Sequence, residues 1–70
     1  MEAHSAVRRH VKSGGLYIIV DEGYQESDAS PVVVYKSLVT GTVWVRPAVE
    51  FFDGRFRVLT DTEVKRMLAT

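Results

Sequence analysis

Trp44 and Arg46 stand two residues apart in the stretch Thr42-Val43-Trp44-Val45-Arg46-Pro47. In an extended strand that spacing puts both side chains on one face, about 7 Å from each other. An indole offers a flat stacking surface. A guanidinium offers a planar fork that grips phosphate or carboxylate through two hydrogen bonds. Pro47 holds Arg46 extended, because the residue before a proline avoids the helical region. The pair therefore points to a small anionic or nucleotide-like ligand, with Tyr17, Tyr35 and Arg55 as companions that add rings and a second cation. The competing reading is architectural: Trp44 in the core, and Arg46 paired with Glu50 or Asp53 to pin the bend after the strand.

Covalent and metal chemistry find little support. Nucleophilic catalysis needs an activated Ser, Thr, Cys or Lys beside a base. The chain has no cysteine, and its two histidines are His4, near the start, and His10, a surface imidazole between Arg8 and Lys12. A metal wants several ligands at suitable spacing, and His4 with His10 is a poor pair. The segment from Asp21 to Asp28 carries Asp21, Glu22, Glu26 and Asp28 without a basic residue, but not the order of a calcium loop. Gly14-Gly15 leads into a strand rather than opening a helix, so no phosphate-binding loop is present. The expectation is a non-enzyme with no cofactor and no metal.

Seventy residues make one domain, with nine Lys and Arg balancing nine Asp and Glu. Zero net charge argues against a dedicated nucleic-acid binder, which carries a basic excess. No apolar run approaches the roughly 18 residues of a membrane span, and the polar N-terminus through Ser13 shows no signal peptide. With no cysteine, the expected location is the cytoplasm.

The elements that must position Trp44 and Arg46 can be read in order. Met1 to Ser5 is expected to be a flexible tail. Residues 6–12 alternate, with Val7, Arg9 and Val11 on one side and Arg8, His10 and Lys12 on a basic outer face; Val7 and Val11 are also four apart, which suits a helix. Ser13-Gly14-Gly15 is a turn. Strands are predicted over 16–21 and 32–37, each apolar on both faces, around a polar loop from Asp21 to Pro31. Thr40-Gly41 turns the chain into a strand over 42–46. Ala48 to Phe52 suits a single helical turn, Asp53-Gly54 is a tight turn, and 55–59 is a last strand with Phe56 and Val58 inward. Thr60 and Glu63 form a capping box for a helix over 61–69. Val64, Met67 and Leu68 make its apolar stripe.

The pattern of motifs resembles the domain-of-unknown-function sixteen-fifty-three family of small bacterial and phage proteins. That family reads, in outline, His-Tyr-Lys-Gly-Gly-x-Tyr, a polar loop, Val-Val-Tyr-Arg-x-Leu, Trp-Val-Arg-Pro-x-x-x-Phe, then Arg-Phe. This chain answers, over roughly residues 9–58, with Arg9-His10-Val11-Lys12-Ser13-Gly14-Gly15-Leu16-Tyr17, Val33-Val34-Tyr35-Lys36-Ser37-Leu38, Trp44-Val45-Arg46-Pro47 with Phe51, and Arg55-Phe56. It departs in two places. The loop reads Tyr24-Gln25-Glu26-Ser27 where the family has His-x-Glu-Thr, and a longer insertion before Arg-Phe is reduced to Asp53-Gly54. The resemblance favours strand over helix for residues 6–12. It implies a mainly β fold, a small SH3-like β-barrel of about five strands spanning 6–59 with a short C-terminal helix over 60–70. It carries over no activity.

Three binding functions stay open. The first is a small-ligand module built on Trp44, Arg46, Tyr35, Arg55 and Tyr17, which in a phage protein would sequester a host signal or inhibit a host defence protein. The second is a protein-interaction adaptor with a host partner. The third is an oligonucleotide-binding barrel, which zero net charge disfavours. Two strands apolar on both faces, in a chain without disulfides, point to a homo-oligomer, most simply a twofold dimer. Its interface is expected to use Tyr17, Ile19, Val33 or the helix stripe.

Overall fold

The computed structural model describes residues 7–69; the expected N-terminal tail and the end of the chain lie outside these. Its elements are β1 (Arg8–His10), β2 (Leu16–Tyr24), β3 (Pro31–Ser37), β4 (Val43–Pro47), α1 (Ala48–Phe51), β5 (Phe56–Val58) and α2 (Asp61–Ala69). The five strands form one antiparallel sheet in the order β4-β3-β2-β1-β5. The fold is mainly β with a short terminal helix, as expected. The sheet is strongly curled but not closed, since β4 and β5 are its two edges. The curl shows in one contact across the sheet: the Arg46 guanidinium of β4 lies 5.6 Å from the ring centre of Phe56 in β5.

Alternation explains which side chains meet. Tyr17 and Ile19 of β2 stand opposite Ser37 and Tyr35 of β3, and Tyr35 and Val33 stand opposite Trp44 and Arg46 of β4. Opposite residues share a face, so these side chains, with Arg8, His10, Phe56 and Val58, line the concave side. The core there is Val33, Tyr35 and Phe51, flanked by Tyr17, Ile19, Ala48 and Phe56.

Phe51 enters from outside the sheet. Pro47, opposite Val32, is the last residue of the β3–β4 ladder, and α1 makes a single turn, closed by the Phe52 N–H donating to the Ala48 carbonyl at 3.0 Å. That turn drops Phe51, 1% exposed, onto Phe56, with ring centroids 4.3 Å apart and nearly parallel.

Several expectations need correction. The polar loop is shorter than predicted, because Asp21–Tyr24 continue β2 beside Pro31–Val34. A bulge between Ile19 and Asp21 shifts the register there, letting a polar segment extend a strand whose first half is apolar. The residual loop is tied locally: Asp28 accepts from the Ser30 N–H and hydroxyl at 3.0 and 2.7 Å, which holds its carboxyl below the usual range. The four acids therefore do not gather as one site, and no metal-holding cluster of three His, Asp or Glu occurs among the described residues.

β1 is three residues long, and Arg8 and His10 are not on an outer basic face. They turn inward, because Arg8 pairs with Tyr17 and Val58, and His10 with Phe56. Val58 is exposed although it shares a face with Phe56. Of the residues expected at a subunit interface, Val33 is 1% exposed, and Tyr17 and Ile19 are partly buried against the same core. No helix among the described residues is long and apolar enough to cross a membrane.

α2 starts where the capping box places it. The Glu63 N–H donates to Thr60 Oγ1 at 3.1 Å, and the Thr60 N–H donates to Glu63 Oε1 at 2.9 Å. Arg57 of β5 adds an ion pair to Glu63 at 3.1 Å. Val64 and Met67 are half-buried, while the side chain of Leu68 lies outside the described residues. The Thr60 amide, then Arg57, pull the Glu63 carboxyl down to about 2 from an ordinary 4.5.

A depressed folded-state pKa contributes stability that is present above the unfolded value and lost as pH falls through the folded one. The helical circular dichroism signal should therefore decline as pH drops from 4.5 toward 2. Glu63→Gln should weaken the helix at neutral pH and flatten that decline; an unchanged acid transition in this variant would show that Glu63 does not set it.

Candidate functional site: an aromatic cavity opening on a cationic groove

The concave face is built from side chains whose positions follow from the ladder. Trp44 and Arg46 project from the same face of β4, as their spacing requires. Trp44 is not core: it is 51% exposed. Its strand lies at the sheet edge, so one flank of the indole has no neighbouring strand.

With His10, Ser13, Tyr17, Tyr35, Arg46 and Phe56, Trp44 walls a cavity of about 190 Å³. The rings are set edge to face, Tyr17 against Tyr35 at 5.4 Å, Tyr17 against Phe56 at 5.7 Å, and His10 against Phe56 at 4.9 Å. Such packing satisfies ring quadrupoles and holds the walls rigid.

A larger groove of about 670 Å³ adjoins this cavity, with His10 and Arg46 lining both. The groove is rimmed by Lys12, Arg55, Asp53 and Gly54 as well. Its charge is mostly positive: three permanent cations face a single carboxylate. Asp53 is largely taken up by Arg55, whose Nε donates to it at 2.9 Å and whose backbone N–H donates at 3.2 Å. Of the two carboxylates expected to pair with Arg46, Glu50 is the one beside it, and Asp53 pairs with Arg55. Lys12 forms no ion pair among the described residues.

Arg46 is held from three sides. Its Nε donates to the Tyr35 hydroxyl at 3.2 Å, its Nη1 lies 3.8 Å from Glu50, and its guanidinium covers Phe56 at cation–π distance. The Tyr35 hydroxyl raises its pKa first; burial opposes this, and the charges of Glu50 and Asp53 add to it. Arg46 is thus a fixed, permanently charged wall with its side chain 27% exposed. Deeper in the same face Arg8 lies over Phe51 at 5.7 Å, and its Nη1 is buried without a hydrogen-bond partner.

The hairpin turn carrying His10 is equally determined. Nδ1 of His10 accepts from the Ser13 N–H at 3.2 Å and contacts Ser13 Oγ at 2.9 Å. An accepting Nδ1 leaves the proton of the neutral ring on Nε2. Gly14 has φ +80°, which a side chain would strain. Gly15 is required for another reason: a Cβ there would sit 2.8 Å from the Tyr17 ring.

All five sequence-predicted site residues come together. Trp44, Arg46, Tyr35 and Tyr17 share the aromatic cavity, and Arg55 lies across Arg46 in the adjoining groove. His10, Lys12, Ser13 and Phe56 were missed as lining residues. The signal available was the pairing of the first and last strands, which brings His10 opposite Phe56.

These rings and cations fall within the stretch matched by a single family model, which covers residues 7–66 and is described as "Protein of unknown function (DUF1653)". The chain belongs to this family. The match is wider than residues 9–58, where the motif resemblance lies, and takes in the capping box and most of α2. No curated protein matches the chain, and no solved structure does. The site of this family member therefore has to be read from its own geometry.

Gly15→Ala should push the Tyr17 ring out of the cavity and destabilise the protein by about 1–3 kcal/mol. Gly23→Ala, where a Cβ meets open space, should change stability by less than about 0.5 kcal/mol. Thermal melts of the two variants check this; equal melting temperatures would show that the close approach at Gly15 is relieved without cost.

Proposed function

We propose that this chain is a non-catalytic binding module for a small anionic, nucleotide-like ligand, carried on a curled sheet that corresponds to an opened SH3-like barrel. The observation that supports this is the junction of the two cavities at His10 and Arg46. One side is walled by Tyr17, Tyr35, Trp44 and Phe56 and suits a planar ring. The other is rimmed by Lys12, Arg46 and Arg55 and suits a phosphate or carboxylate. At about 670 Å³ the groove falls within the roughly 300–1,000 Å³ of small-molecule sites. A ring stacked beside Trp44 places its anionic substituent toward the cations, with Arg46 touching both parts.

A binding role suits the site better than catalysis. Ser13 and His10 are in contact, but no carboxylate orients the imidazole among the described residues, and Ser13 Oγ also accepts the Gly15 N–H at 3.3 Å. The pair is a turn-closing contact, without the third member that activates a serine.

The division of labour among the cations decides how to test the reading. Arg46 is bonded to Tyr35 and covers Phe56, so Arg46→Ala should lower stability as well as binding. Lys12, exposed on the groove rim, separates the two effects. Trp44 is the chain's one tryptophan, so its fluorescence reports directly on the cavity.

Titration with nucleoside monophosphates should quench that fluorescence saturably, and inorganic phosphate should compete. Lys12→Ala should weaken binding about tenfold, the loss of one charge-assisted contact, at an unchanged melting temperature. Absence of quenching by every nucleotide, together with an unliganded mass in native mass spectrometry of the purified protein, would overturn the proposal.

A further inference from the structure

The outer edge of β4 is one of the two open edges of the sheet. Its direction can be read from two hydrogen bonds. The Ser37 N–H donates to the Thr42 carbonyl and the Leu38 N–H to the Leu16 carbonyl, both at 2.9 Å. Ser37 therefore points toward β4 and Leu38 toward β2. By alternation along the ladder, Tyr35 and Val33 exchange bonds with Trp44 and Arg46, while Val43 and Val45 turn their N–H and C=O groups outward. Beyond β4 there is no further strand. The side chains at this edge are apolar and open to solvent, Val43 at 56% and Val45 at 62%. An exposed, apolar edge of this kind is a template for another strand.

We propose that this edge pairs with the same edge of a second copy, about a twofold axis through Trp44, to form a continuous sheet. The occupant is indicated by the strand itself. Thr42-Val43-Trp44-Val45-Arg46 is close to a palindrome centred on Trp44, which an antiparallel twofold requires. The outward-facing residues are the two valines that flank the centre, so each Val43 meets the other copy's Val45 and exchanges both backbone bonds with it.

Neighbouring registers do worse. Pairing Val45 with Val45 brings Val43 opposite Pro47, which has no N–H. Pairing Val43 with Val43 brings Val45 opposite Gly41, which lies outside the strand in a left-handed turn at φ +76°. Charge agrees with the central register. Arg46 is the only charged residue of β4; it faces Thr42 of the other copy, and the two Arg46 are about 13 Å apart along the strands, beyond the Debye length of roughly 8 Å in physiological salt. The two Trp44 become closest neighbours in a non-hydrogen-bonded pair. The interface stands on backbone geometry and does not depend on the ligand reading.

Light scattering of the full chain should give twice the mass of one chain at micromolar concentration. Val43→Lys with Val45→Lys opposes like charges across the axis and should give a single-chain mass. Val43→Lys with Val45→Glu opposes unlike charges and should restore the double mass. Both positions are solvent-facing, so circular dichroism should match the parent protein. A second measurement does not depend on these variants. The chain has no cysteine, so Trp44→Cys should cross-link efficiently with itself on mild oxidation, whereas Val39→Cys, exposed in the neighbouring turn, should not. A single-chain mass for the parent protein, a double mass for the like-charged variant, or equal cross-linking at both positions would each overturn the proposal.

Discussion

The stacking of Phe51 on Phe56 is the contact on which the rest depends. It joins the segment that leaves one sheet edge to the strand that forms the other. Tyr35 packs against both rings, at 5.1 and 5.4 Å, and Val33 lies beneath them in the same core. Small domains bury a limited fraction of their apolar surface, and here much of that burial is concentrated in one aromatic cluster. Because the cluster sits on the concave side, it sets the curl of the sheet. The curl then decides which polar groups meet. Arg46 reaches Phe56 across three intervening strands, and His10 reaches the same cavity from β1. Without that curl, Trp44 and Arg46 would be a pair on an edge strand with nothing facing them.

Much of this architecture was legible because local signals and burial agree. The turns at Gly14, Gly41 and Gly54 adopt the positive φ that only glycine supplies cheaply. The capping box of Thr60 and Glu63 marks the first residue of α2. Alternation places Trp44 and Arg46 on one face. What failed, failed for identifiable reasons. Arg8 and His10 look like surface residues by type. In the fold they are drawn onto the aromatic face because the register with β5 fixes their direction, and register between the first and last strands is not a local property. Asp21–Tyr24 look like loop by composition, yet a bulge carries the ladder through them. The five strands expected from the family resemblance are present in one antiparallel sheet, whose two edge strands stay unpaired with each other.

The architectural reading of Arg46 leaves room for the proposed ligand role. Its bond to Tyr35 and its place over Phe56 make it part of the framework. Its remaining exposed surface lies at the junction of the two cavities. A guanidinium can serve both ends because it has five donors in one plane, and of these Nε is bonded to Tyr35 while Nη1 lies 3.8 Å from Glu50. In the proposed ligand role, a guanidinium fixed in this way would lose little rotamer entropy. Trp44 completes the contrast: its neighbours are fixed, but it is half exposed.

The openness of the sheet and the exposure of Trp44 have the same origin. Had β4 and β5 paired, the barrel would have closed over the concave face, and both the edge groups of Val43 and Val45 and the flank of the indole would have been covered. Instead Pro47 ends the ladder, α1 inserts Phe51 between the two edges, and aromatic packing takes the place of hydrogen bonds there. A ring stack tolerates a wider separation than a strand pair, about 4.8 Å between hydrogen-bonded strands. Space is thus left between the edges, and His10, Arg46 and Arg55 line it. The same substitution of rings for backbone bonds creates the cavity and leaves the outer edge of β4 free to pair.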